Sequence, residues 1–88
     1  MQGFRFYEEL NNKNRKDETS QGNVIAVYIP EMWSPDGSMV VLSAVFFIPN
    51  SDVSNGSVSR EYLDTKTRRV SEAKARVIHP KLFVYLDG

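Results

Sequence analysis

The sequence predicts a small α+β domain in which an antiparallel β-hairpin packs against short helices. Residues 23–29 and 39–48 are rich in β-branched and aromatic side chains, and a loop with two prolines and an Asp-Gly turn separates them. From residue 59 onward the pattern changes to helix formers that follow two serines suited to helix capping. The 88 residues fit one domain, residues 1–88.

The N-terminal segment, about residues 4–15, is predicted to be a helix. Phe6 and Leu10 stand four residues apart, and Phe4 and Tyr7 stand three apart, so that one helical face would be apolar. Acidic residues lie early in this segment and basic residues late, which suits the helix dipole. A short strand at residues 4–6 is the alternative.

The two strands of the hairpin are predicted at about residues 23–29 and 39–48, and Pro30 ends the first of them. The segment that follows, residues 53–59, is centred on Asn55-Gly56, a pair that readily forms tight turns. It is predicted to be either a third strand or only a turn.

The C-terminal part is predicted to form short helices that pack on one face of the sheet. Ser59 and Ser71 are suited to cap the first two, and residues 66–69 between them form a basic connection. His79 precedes Pro80, which disfavours helical backbone at His79 and suits the first turn of a new helix. The predicted helices are about 60–66, 71–79 and 81–86, and the last could instead be an edge strand.

The second strand is apolar on both faces, which predicts self-association. Val41, Val45 and Phe47 fall on one side, and the other side is equally apolar. Burial of one such side chain contributes about 1.5–3 kcal/mol, and so short a chain has few helices with which to cover both faces. We therefore predict a homodimer through the face that bears Val41, Val45 and Phe47.

The residues needed for most catalytic and metal sites are scarce. The chain has no cysteine and one histidine, so a Ser–His–acid triad would depend on His79, which is well explained as a residue between two helices. The five glycines are scattered singly and form no phosphate-binding loop. We predict a protein that is not an enzyme and that carries no metal and no cofactor.

Charge is unevenly distributed although the net charge is zero. Residues 57–88 hold seven basic and four acidic side chains, which predicts nucleic-acid binding as the alternative function. The candidate phosphate-contacting residues are Arg60, Arg68, Arg69, Lys74, Arg76 and Lys81. Residues 69–78 resemble the turn and recognition helix of repressor-type helix-turn-helix proteins, although Arg69 stands where that motif has glycine.

Trp33 and Met32 are the candidate partner-binding residues. Both lie in the loop between Pro30 and Pro35, and tryptophan is enriched at binding hot spots because it offers a large apolar area on few torsions. The alternative is that Trp33 folds back onto the core.

The favoured function is that of a small non-enzymatic binding or regulatory protein that acts through protein–protein contacts. No secretory signal is recognisable, and the longest apolar run, residues 39–48, is shorter than the ~20 residues that span a bilayer. We therefore expect a cytoplasmic protein without membrane contact. A small hydrolase or a ligand-binding domain ranks last.

Overall fold

The computed structural model describes residues 3–11, 19–28, 41–48 and 52–88. They form the predicted α+β class, with a five-stranded antiparallel sheet and three helices. In chain order the elements are β1 (Phe4–Leu10), β2 (Ser20–Tyr28), β3 (Val41–Phe47), β4 (Val53–Ser59), α1 (Arg60–Lys66), β5 (Thr67–Val70), α2 (Glu72–Ile78) and α3 (Pro80–Asp87).

The N-terminal helix predicted over residues 4–15 is wrong within residues 4–10, which form strand β1. Phe6 and Leu10 are four residues apart, a separation that suits one face of a helix. Because side chains alternate between the two faces of a strand, an even separation also places both on the same face of a strand. Phe4 and Tyr7, three residues apart, then point to opposite faces. Pairing with β2, in which Phe6 lies opposite Ala26, fixes the extended backbone.

The strand order in the sheet is β4-β3-β2-β1-β5. Strands β1 to β4 follow one another as a meander, and α1 then leads from one edge of the sheet to the other. The chain returns as β5, which pairs with β1 so that Tyr7 lies opposite Arg69. The prediction of a mere basic connection at residues 66–69 is therefore wrong, since Thr67–Val70 is an edge strand.

Each face of the sheet has its own apolar core, and different helices cover the two faces. On one face Phe6, Val24, Ala26 and Val45 pack with residues of α2 and α3. On the other face Ile25, Val27, Leu42 and Ala44 pack with Leu63 of α1. The expectation that all helices pack on one face is wrong, because α1 crosses the face opposite α2 and α3.

The strand face proposed from the sequence as a dimer surface is covered in part by other elements of the chain. Val45 is only 8 % exposed and belongs to the core beneath α2 and α3. The Phe47 ring lies edge-on to His79, with 5.9 Å between the ring centroids. The side chain of Val41 lies outside what the structure describes. A homodimer through this face stays a prediction.

The other predicted elements agree with the structure. Helix α1 has the predicted bounds, and the Ser59 and Ser71 hydroxyls accept hydrogen bonds from the backbone N–H of Tyr62 (3.0 Å) and Lys74 (3.2 Å). Strand β2 begins three residues earlier than predicted, at Ser20. Residues 53–59, for which a strand and a turn were the alternatives, form strand β4. Residues 81–86, for which a helix and an edge strand were the alternatives, lie in helix α3. No helix in the described part of the chain is long and apolar enough to cross a membrane.

Candidate functional site

The predicted partner-binding residues Trp33 and Met32 lie outside the described residues. The remaining candidates are the basic side chains of the C-terminal half, a cleft under α1 and the two edges of the sheet.

Two of the six candidate basic residues converge on a buried carboxylate. Glu8, on β1, is 1 % exposed, and its Oε1 lies 2.6 Å from Arg68 Nε and 3.6 Å from Lys74 Nζ. Burial by itself raises the pKa of Glu8, but hydrogen bonds from Arg68 and Ser20, together with the charges of Arg68 and Lys74, lower it overall. Arg68 and Lys74 therefore neutralise a charge inside the fold.

The other basic candidates are dispersed rather than gathered on one surface. Arg76 on α2 pairs with Glu72 Oε2 at 3.0 Å and with Asp87 Oδ2 at 2.9 Å. Lys81 on α3 pairs with Asp52 Oδ1 at 2.6 Å. Arg60 begins α1 on the opposite face of the sheet, and Arg69 lies exposed on β5. Four of the six candidates are thus held by ion pairs at three separate places, around Glu8, Asp87 and Asp52.

His79 is a buried structural residue at the junction of α2 and α3. It is 7 % exposed, and its Nδ1 accepts a 3.3 Å hydrogen bond from the backbone N–H of Val24. Burial lowers the pKa of His79, and the bond from Val24 requires an unprotonated Nδ1. The neutral imidazole therefore supplies an acceptor to β2.

An open cleft of about 310 Å³ lies on the α1 face of the sheet, with Ile25, Phe46 and Val58 among its walls. The two ionisable side chains in its walls, Glu9 and Tyr62, are hydrogen-bonded to each other: the Tyr62 hydroxyl donates to Glu9 Oε2. Burial, and then the neighbouring Glu9 carboxylate, raise the pKa of Tyr62 to about 12. Because its pKa is so high, the Tyr62 phenol stays protonated at neutral pH and is a poor general base or nucleophile there.

The two edges of the sheet differ in length and charge. Strand β5 has four residues, and Arg68 and Arg69 occupy its centre. Strand β4 has seven residues with no charged side chain, and among the described residues no strand lies beyond it. Sheet edges are usually protected by being short, charged or covered, because their free N–H and C=O groups can pair with another chain. The β5 edge is short and charged, whereas β4 is neither, and within residues 3–11, 19–28, 41–48 and 52–88 no strand pairs with its outer side.

Helix α3 lies beside β4 and exposes apolar side chains there. Val84 is 75 % exposed and Tyr85 is 45 % exposed. The amide of Asn55 on β4 donates a 3.1 Å hydrogen bond to the Tyr85 hydroxyl, which ties helix and strand together. A groove of about 370 Å³ runs between them, with Val53 among its walls. We call residues 53–59 together with Val84 and Tyr85 the β4 edge surface.

The sequence interpretation missed this surface because a strand becomes an edge only through long-range topology. The signal available was the absence of charge over residues 53–59, which was interpreted in terms of the Asn-Gly turn. Comparison with known proteins adds no assignment, since no family model, no curated protein and no solved structure matches the chain.

Proposed function

We propose that this protein is a small non-enzymatic binding or regulatory module, cytoplasmic in location, that recognises other proteins through the β4 edge surface. The observation that carries the proposal is the seven-residue uncharged edge of β4 beside the exposed Val84 and Tyr85. An extended protein segment can add to such an edge as a further strand, with backbone hydrogen bonds for affinity and side-chain pockets for specificity. The groove beside Val53 would supply the pocket.

Two further observations support a binding role over a catalytic one. In the α1-face cleft, Glu9 and Tyr62 are hydrogen-bonded to each other. The histidine, His79, is buried and serves β2 as an acceptor. The nucleic-acid alternative receives less support, because four of its six proposed residues form ion pairs with carboxylates of the same chain.

Site-specific photo-crosslinking in cells tests the proposal. A photoreactive phenylalanine analogue is placed at Ser57 on the β4 edge, and a matched one at Arg69 on the β5 edge; both positions are exposed. We expect protein adducts from position 57 that persist after nuclease treatment, and few from position 69. Adducts that disappear with nuclease, or equal yields at the two edges, would overturn the proposal.

A further inference from the structure

We propose that the α1-face cleft binds a small primary amine with an apolar, aromatic body. The inference goes beyond the proposed function, because it uses side chains on the α1 face of the sheet rather than the free backbone groups of the β4 edge. The cleft volume of about 310 Å³ falls within the range of small-molecule sites. Such sites are mostly apolar and contain a few polar groups that orient the ligand.

The cleft lies where strands β2 and β3 separate. In the described part of the chain, the pairing of these strands ends at Ala26 and Val45. The next residue of each strand, Ile25 and Phe46, lines the cleft. On the opposite face of the sheet, His79 Nδ1 accepts the next backbone N–H of β2 at 3.3 Å. The separated part of β2 therefore keeps an acceptor for this N–H, and the opening is built into the fold.

The walls of the cleft are largely apolar and include aromatic rings. The Phe46 ring lies against Gly56, where an added Cβ would be 2.6 Å from Phe46 Cε1. The ring can lie this close to β4 because residue 56 has no side chain. Tyr62 of α1 supplies a second ring, and Ile25 and Val58 add aliphatic surface. An apolar ligand body would bury this surface together with its own.

The charge of the cleft favours a cation. Glu9 is one of its walls, and none of the described walls is basic. The Tyr62 hydroxyl donates to Glu9 Oε2, and the pKa of Tyr62, raised to about 12 by burial and by Glu9, keeps this phenol neutral at physiological pH. A carboxylate has about four acceptor positions, so one neutral donor leaves both acceptor capacity and negative charge for a ligand.

A primary ammonium group fits this arrangement. It carries the opposite charge and three N–H donors, so it can form charge-assisted hydrogen bonds to Glu9. Aromatic rings such as those of Phe46 and Tyr62 also attract cations. An anionic ligand would be repelled by Glu9, and a neutral one would displace water from the carboxylate without replacing its hydrogen bonds fully. The cleft thus selects both the charge and the apolar body of the ligand.

Three probes of nearly the same shape test the inference on the purified full chain at neutral pH. They are phenethylamine, which is cationic, phenethyl alcohol, which is neutral, and phenylacetate, which is anionic. Binding is followed by the shifts of backbone amide signals in two-dimensional NMR. We expect saturable binding of the amine with shifts at Phe46, Val58 and Tyr62. The alcohol and the acid should bind at least about tenfold more weakly.

Two matched variants test the role of Glu9. Glu9→Gln removes the charge but keeps an acceptor for the Tyr62 hydroxyl, and it should weaken binding of phenethylamine at least about tenfold. Glu61→Gln removes the same charge from the exposed first turn of α1, outside the described walls of the cleft, and should change binding little. Thermal melts without ligand establish that each variant is folded.

Each result decides for or against the amine site. Amine binding that does not saturate, equal affinities for the amine and the alcohol, or equal effects of the two glutamine variants would overturn the inference. Shifts at Val84 and Tyr85 in place of the cleft would do the same. The comparison of the three probes uses the unaltered chain, so it decides the question even if Glu9→Gln does not fold. Crosslinking at the β4 edge is measured separately and is independent of these outcomes.

Discussion

Glu8 Oε1 lies 2.6 Å from Arg68 Nε, and this contact joins the buried carboxylate of β1 to the short edge strand β5. The two residues are also cross-strand neighbours in the sheet. Lys74 Nζ reaches the same oxygen from α2 at 3.6 Å. One carboxylate therefore helps to hold both β5 and α2 on β1, and its energetics can be measured.

Replacing Arg68, the hydrogen-bonding partner of Glu8, should destabilise the fold. In Arg68→Ala the buried Glu8 carboxylate keeps only the more distant positive charge of Lys74. We therefore expect the free energy of unfolding to fall by about 2 kcal/mol. This value is lower than that for a fully buried ion pair because Arg68 is partly exposed to solvent. Urea denaturation measures it. Arg69→Ala, at the adjacent exposed position, is the control and should change the free energy by less than about 0.5 kcal/mol. Equal effects of the two variants would contradict the role of Glu8.

Stability should decrease in acid because of Glu8. Its pKa in the folded protein is lower than its ordinary value of 4.5, so the unfolded chain binds this proton more tightly. The stabilisation is complete above pH 4.5 and is lost as the pH falls through the folded pKa. Asp52, Glu72 and Asp87 shift in the same direction, so wild type must be compared with Glu8→Gln. The stability of the variant should depend less steeply on pH below 4.5; identical slopes would refute the assignment.

His79 should produce a separate pH dependence at higher pH. Burial lowers its pKa below the ordinary 6.5, so the unfolded chain again binds the proton more tightly. Stability is therefore complete above pH 6.5 and decreases as the pH falls from there towards the folded pKa. His79→Ala should abolish this dependence and cost about 2 kcal/mol, since the Val24 N–H loses its acceptor. Chemical denaturation between pH 5 and pH 8 measures both effects, and an unchanged slope in the variant would be inconsistent with them.

Tyr62 should ionise later than an ordinary tyrosine. Its pKa is raised to about 12 from 10.0, first by burial and then by the Glu9 carboxylate. The unfolded chain releases this proton more readily, so the contribution of Tyr62 to stability is lost as the pH rises above 10. Ultraviolet titration should show a late-ionising tyrosine that is missing in Tyr62→Phe. If Tyr62→Phe instead removes a tyrosine that ionises near pH 10, the Tyr62–Glu9 contact does not persist in solution.

Local signals in the sequence were sufficient for the helices. Ser59 and Ser71 each precede helix formers, and both cap as predicted, because a cap depends only on residues within one turn. The same holds for Pro80, which begins α3 at a position where its missing N–H has no cost.

Long-range pairing accounts for what the sequence did not reveal. Strand β5 consists of Thr-Arg-Arg-Val, which indicates a strand only once β1 lies beside it, and β1 is about sixty residues away in the sequence. Glu8 lies early in the segment, where an acidic residue suits a helix dipole, and its burial in a strand depends on Arg68 and Lys74, which neutralise it from distant parts of the sequence. The β4 edge surface depends on the same topology, because the meander and the crossing of α1 leave β4 outermost.

Residue-resolved amide hydrogen exchange of the labelled chain in cell extract, compared with buffer, tests most directly whether β4 is the edge that pairs with partner proteins. The account predicts that exchange along Val53–Ser59 is slower in extract, because new backbone hydrogen bonds form there, whereas exchange along the β5 edge, Thr67–Val70, does not change. Exchange in β4 that is the same in extract and in buffer, or equal slowing at both edges, would contradict it.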